Sequence, residues 1–247
     1  MLALHKIFRS NKPLAWFGFL NFSCFFIFLI LSLMDHRELL GLNVWVKPMK
    51  FAISIGVFSW TMAWLLRYLP QVKKAKIISW VIVVMMSLEL SIIALQSGRG
   101  VTSHFNVYNF LDLMLFNTMG YAIVMNTLMV AWALLLFRNV KTLKAGYKLG
   151  IQLGMLIFVL ASLQGFVMVG QMSHTVGAPD GQEGIFFLNW AKKYGDLRIA
   201  HFLGLHALQL LPLFAWYFSA EKKLNVWIFA LGYFILSVGA LAMAYLI

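Results

Sequence analysis

Seven long apolar stretches, each divided from the next by a short polar or basic segment, constrain this chain more than any other feature. They cover residues 14–34, 46–66, 77–97, 110–137, 149–170, 199–220 and 224–247. A helix rises about 1.5 Å per residue and the hydrocarbon core of a bilayer is about 30 Å thick, so each stretch is long enough to cross it. In lipid every backbone N–H and C=O needs an internal partner, which leaves helices as the spanning form. The composition agrees. It is 62% hydrophobic and 11% charged, whereas soluble domains carry about 25% charged residues. Too few polar groups remain to cover a water-facing surface. The expected fold is all-α: a polytopic integral membrane protein, a seven-transmembrane-helix bundle forming a single transmembrane domain over residues 1–247.

The net charge of +12 would point to nucleic acid in a soluble protein, but here its distribution excludes that partner. The basic residues cluster in alternate connections, the pattern of cytoplasmic segments. One side holds Lys6, Arg9, Lys12, Arg67, Lys73, Lys74, Lys76, Arg138, Lys141, Lys144, Lys148, Lys222 and Lys223. The other holds Arg37, Lys47, Lys50, Arg99, Lys192, Lys193 and Arg198. The expected orientation is therefore N-terminus cytoplasmic and C-terminus extracytoplasmic, in the cell membrane (inner or plasma). Trp16, Trp64, Trp80, Trp132, Trp216 and Trp227 fall near the cytoplasmic helix ends, as an aromatic belt would.

The N-terminal run begins like a signal peptide, but its apolar part is too long for a cleaved one. It reads as a retained first helix. The single cysteine, Cys24, excludes an internal disulfide and any CxxC motif. The longest connection, residues 171–197, is extracytoplasmic by this topology. Pro179, Asp180, Gly181 and Gly184 make it turn-rich, and Ile185–Trp190 suggests a short interfacial helix or a re-entrant piece. Gly146, Gly150 and Gly154 allow a close helix approach, and Pro212 should kink the sixth helix.

Depth is the informative property of the polar residues. Counted along straight helices, Glu89 lies about 10 Å below the extracytoplasmic boundary, Gln164 and His206 about 8 Å, Gln209 about 12 Å and Lys50 about 5 Å. His201 and Asp112 come out near the boundary. The cytoplasmic half offers little beyond Ser59, Thr61, Asn126, Thr127 and Gln152. Glu89 shares a helix face with Gln96, while Arg198, His201, His206 and Gln209 fall within a sector of about 140°. The connection that follows Gln96 carries Arg99, His104 and Asn106, with Asp112 soon after, and Gly98 and Gly100 give it freedom to fold over the cluster.

An ionisable residue inside a membrane is a functional candidate by default. Three readings follow. In the first, a membrane-embedded, metal-assisted hydrolase or transferase acts on a lipid-like substrate. His104, His201 and His206 would hold a divalent metal such as zinc, Asp112 would ligate or orient it, and Glu89 would be the general acid or base. Lys50 or Arg198 would steady developing negative charge. In the second, two histidines from different helices ligate haem b in a redox or sensor protein. In the third, Glu89 is the coupling site of a proton- or ion-coupled transporter. Lys50 is the expected charge partner of Glu89, with Lys47 snorkelling to the interface. Met168, Met172 and His174 form a soft set of the kind copper prefers, although core packing and loop chemistry explain them better. No P-loop, dinucleotide fingerprint or GxSxG elbow is present. The absence of lysine between 224 and 247 excludes a retinal Schiff base on the last helix.

Overall fold

The computed structural model describes residues 7–246; Lys6, part of the N-terminal basic cluster, and Ile247 lie outside the described residues. The protein is all-helical. Its long helices are α1 (Lys12–Met34), α2 (Val46–Leu66), α3 (Val72–Arg99), α4 (Phe110–Phe137), α5 (Ala145–Gln171), α6 (Leu197–Phe218) and α7 (Lys223–Leu246). Each is long and apolar enough to cross a membrane. The strands are two-residue antiparallel pairs, β1 (Glu38–Leu39) with β2 (Leu42–Asn43) and β3 (Thr175–Val176) with β4 (Gly195–Asp196).

Local chemistry sets the helix ends. The Asn11 side chain accepts the Leu14 N–H ahead of Pro13 in the first turn of α1, the arrangement that satisfies otherwise orphaned N–H groups. The Asp196 carboxylate does the same for the Arg198 N–H at the start of α6. α3 is longer than its apolar stretch, because the basic segment Lys73–Lys76 is helical too. It stops at Gly100, whose φ of 73° is the left-handed stop that glycine takes without strain. The N–H groups of Gly100 and Val101 fold back on the carbonyls of Ser97 and Gln96.

The chain divides into two compact units, residues 1–129 and 130–247. In the first, α1 packs along α2, and α3 closes against both. Trp60 donates its indole N–H to the Ala15 carbonyl, and its ring fills the space beside Gly18. At one end the Asn11 side chain donates to the Ser79 hydroxyl, tying α1 to α3. At the other, Ile92, Ile93 and Met119 form an apolar cluster, with Phe51, Leu115 and Phe116 packed against it.

In the second unit α5 and α6 are the closest pair, with α7 laid against both. The expected glycine stripe does this. A methyl group at Gly146 would strike the Ser219 carbonyl, one at Gly150 the Ala215 side chain, and one at Gly154 the Ala207 carbonyl. Small residues let helix backbones approach closely where no hydrophobic effect drives them together. Both units keep large apolar side chains on their surfaces, such as Phe26, Ile30 and Leu33 on α1 and Trp227, Leu231 and Ile235 on α7. Contiguous exposed apolar faces of this extent suit acyl chains rather than water.

Candidate functional site

The first unit contains a buried acid–base cluster built on three elements. α3 carries Glu89, whose side chain is 1% exposed. The connection 100–109 carries His104 back over the helix, so that its Nε2 lies 3.8 Å from Glu89 Oε1. The first turn of α2 carries Lys47, with Nζ 3.2 Å from His104 Nδ1. The Ser103 hydroxyl is 3.1 Å from the same Nδ1. Phe51, Phe105 and Phe116 surround the imidazole at ring-centroid distances of 5.9, 6.2 and 6.5 Å.

These neighbours decide the tautomer of His104. A lysine ammonium can only donate. Facing Lys47, Nδ1 accepts, and the ring proton sits on Nε2, aimed at Glu89. The result is a line of donors running from Lys47 through His104 to the carboxylate. The last step, at 3.8 Å, is an ion-pair distance rather than a direct hydrogen bond. Neither carboxylate oxygen of Glu89 has a hydrogen-bond partner among the described residues. The Lys47 charge acts on Glu89 from the far side of the imidazole.

A second cluster shapes the connection that carries His104. Asp112, at the start of α4, accepts from Gln96 Nε2 at 2.8 Å, from Arg99 Nη1 at 2.5 Å and from Asn109 Nδ2 at 2.6 Å. Arg99 also donates to Gln96 Oε1 at 2.6 Å, and the Asp112 N–H returns to Asn109 Oδ1 at 2.9 Å. Asp112 is thus a clamp joining the end of α3 to the start of α4, with both oxygens in use. Lys50 is half-buried on the turn after Lys47. Lys47, expected to snorkel to the interface, instead brings its ammonium to His104.

The second unit gives the other expected residues separate settings. His201 lies with Nδ1 2.8 Å from the Ala161 carbonyl of α5, which fixes that nitrogen as the protonated one. His206 packs on the ring of Phe202 at 4.2 Å, with the Gln209 amide hydrogen-bonded to it. Arg198 is paired with Asp196, Nε to Oδ1 at 2.9 Å, and reaches the Asn189 carbonyl with Nη2. Its charge is committed to holding the 172–196 connection. Among the described residues, no three His, Cys, Asp or Glu side chains are gathered as a metal-holding group. Of the soft set, Met168 is buried in packing, Met172 is exposed at the end of α5, and His174 is bound to Asp180.

That last pair was not singled out by the sequence reading. His174 Nδ1 lies 2.6 Å from Asp180 Oδ2. Asp180 also accepts from the N–H groups of His174 and Thr175 and from the hydroxyls of Ser173 and Thr175. Burial works against this carboxylate. Hydrogen bonds from His174, Thr175 and Ser173 outweigh it and hold the Asp180 carboxyl well below the usual range. The sequence signal was present in the turn residues Pro179-Asp180-Gly181 facing Ser173-His174-Thr175. No family model, no characterised protein and no solved structure matches the chain.

Proposed function

We propose that this is a proton-handling membrane protein, a proton- or ion-coupled carrier in which Glu89 is the coupling group and His104 and Lys47 its relay. The observation that carries the reading is a carboxylate sealed from solvent, with neither oxygen hydrogen-bonded and a histidine Nε2 at 3.8 Å. Such a group is costly to keep and is retained inside membranes where ions or protons pass. Both His104 nitrogens already face side chains, Nδ1 toward Lys47 and Ser103 and Nε2 toward Glu89. That arrangement favours proton relay over metal or haem ligation at this residue.

A carrier needs a polar route onward from Glu89. The first unit offers buried oxygens without hydrogen-bond partners on three further helices: Asn21 Oδ1 on α1, Ser59 Oγ on α2 and Asn126 Oδ1 on α4. Buried orphan groups of this kind are the places that ordered water fills. The charge asymmetry of the connections supports an extracytoplasmic side for the His104 connection.

A second reading, an acid–base enzyme acting on a lipid-like substrate, is favoured by the aromatic wall of Phe51, Phe105 and Phe116 around the same imidazole. One experiment separates them. In proteoliposomes holding a pH-sensitive dye, an imposed gradient should drive proton flux through the wild-type protein. Glu89→Gln should abolish the flux and Glu89→Asp should retain part of it. Flux that survives Glu89→Gln refutes the coupling role.

A further inference from the structure

The connection between α5 and α6 presents a second surface with a definite partner. α5 ends at Gln171 and α6 starts at Leu197, so residues 172–196 leave and return at one membrane face. The sequence suggested a short interfacial helix or a re-entrant piece near its middle. The structure instead forms a tight turn over Ile185–Trp190, with no helix. Gly184 and Ala191 bridge its base, Ile185 N–H donates to the Trp190 carbonyl at 2.9 Å, and Asn189 N–H donates to the Ile185 carbonyl at 2.7 Å. Phe187 and Asn189 take left-handed backbone, at φ of 65° and 57°. For a bulky residue such as Phe187 this is strained, and it persists only where the surroundings impose it. Here the surroundings are Arg198, which reaches the Asn189 carbonyl, and Asp196, whose Oδ2 accepts the Ala191 N–H at 2.8 Å.

The product of that strain is an outward-pointing apolar tip. Phe186 is 93% exposed, and Ile185 beside it is exposed too. The tip does not stand away from the helices. Trp190 meets the ring of Phe202 edge-on at 5.4 Å. Phe202 is 40% exposed on α6, with Leu210 and Leu213 exposed further along the same helix. It lies five residues, or about 7.5 Å, into that helix from its start. The Trp190–Phe202 contact therefore joins the apolar turn to the exposed apolar side chains of α6. The charged residues are sorted to the other end. Glu183 and Lys192 pair at 2.8 Å in the stem, where Lys193 and Tyr194 are also exposed. An apolar tip with a charged and tyrosine-bearing stem matches the change from acyl chains to headgroups across an interface.

We propose that Ile185–Trp190 is a lipid anchor. Phe186 and Ile185 enter the acyl-chain border of the leaflet beside α6, while Lys192, Lys193 and Tyr194 sit at the level of the phospholipid phosphates. The anchor is preformed, since Arg198 and Asp196 hold the turn, so insertion does not have to order it.

The single native cysteine makes the test direct. In a Cys24→Ser background, one nitroxide label is placed at Phe186→Cys and another at the exposed stem residue Gln182→Cys, in phosphatidylcholine–phosphatidylglycerol vesicles. Collision with oxygen reports lipid and collision with a neutral nickel chelate reports water. The label at 186 should favour oxygen over nickel by at least several-fold relative to the label at 182. Equal nickel accessibility at the two positions places the tip in water and overturns the proposal. A label at 186 immobilised and shielded from both reagents means that a second copy or another protein covers the tip, which overturns it equally. Ile185→Cys repeats the reading if Phe186→Cys fails to fold.

Discussion

Glu89 is an expensive residue to keep. A buried carboxyl without hydrogen-bond donors loses its hydration and gains little in return, and among the described residues Glu89 has His104 at ion-pair distance with Lys47 behind it. Removing the charge should therefore leave folding intact or improved while removing activity. Glu89→Gln is expected to cut proton flux by about a hundredfold or more, with a thermal midpoint no lower than wild type; a large loss of stability would instead mark Glu89 as structural. Asp180 behaves in the opposite way, since hydrogen bonds surround it. Asp180→Asn should loosen the 172–196 connection at a cost of about 1–3 kcal/mol. The pH dependence follows from the depressed carboxyl. Its contribution is complete above the ordinary aspartate value of about 3.9 and is lost only as pH falls through the lower folded value. A spin label at 182 should stay as ordered at pH 5 as at pH 7 and become mobile only in strong acid.

Among the elements, the α5–α6 contact and the 100–109 connection make separate predictions. Gly150→Val forces side-chain atoms against Ala215 and the Leu211 carbonyl. Overpacking of this kind costs about 1–3 kcal/mol, or about 5 °C in thermal midpoint for a chain of this size. Gly120→Ala meets nothing within 4 Å and should leave the midpoint unchanged. The Asp112 clamp is tested by the access it controls. Asp112→Asn weakens the bonds from Arg99 and Asn109, and the population with the connection lifted should rise by about tenfold for each 1.4 kcal/mol lost. Carbodiimide modification of Glu89, followed by peptide mass, should accelerate accordingly; an unchanged rate would mean the clamp does not govern access. Helix positions were the most legible part of the sequence. α2 and α4 begin and end where the apolar stretches do. α3 and α5 overshoot because lysines near a helix end remain helical while their ammonium groups reach water. The connections were least legible. Straight-helix counting gives the depth of Glu89 but not the return of residues 100–109, so His104 and Lys47 meet across a path the periodicity does not encode. Arg198 was legible as a charge near the membrane, yet its partner Asp196 lies two residues away in β4, outside the helix whose periodicity was read.

At the scale of the whole molecule, orientation is carried by the basic clusters and is open to a simple check. In a Cys24→Ser background, Lys192→Cys should react with a membrane-impermeant maleimide on intact cells, whereas Lys141→Cys should react only after permeabilisation. The reverse pattern would move the Glu89 opening to the cytoplasmic face and invert the direction of any coupling. In the second unit glycine contact seals α5 against α6, and buried side-chain oxygens without hydrogen-bond partners among the described residues occur in both units, such as Asn21 Oδ1 and Asn126 Oδ1 in the first and Gln164 Oε1 in the second. The imidazole beside Glu89 rides on irregular backbone between two helices and not on a helix itself. Withdrawing it requires no transmembrane segment to tilt or slide. Loop excursions run in nanoseconds to microseconds and collective helix motions in microseconds to milliseconds, so a strap pinned by Arg99 and Asp112 would let the carboxyl exchange its proton many times within one rearrangement of the helices around it.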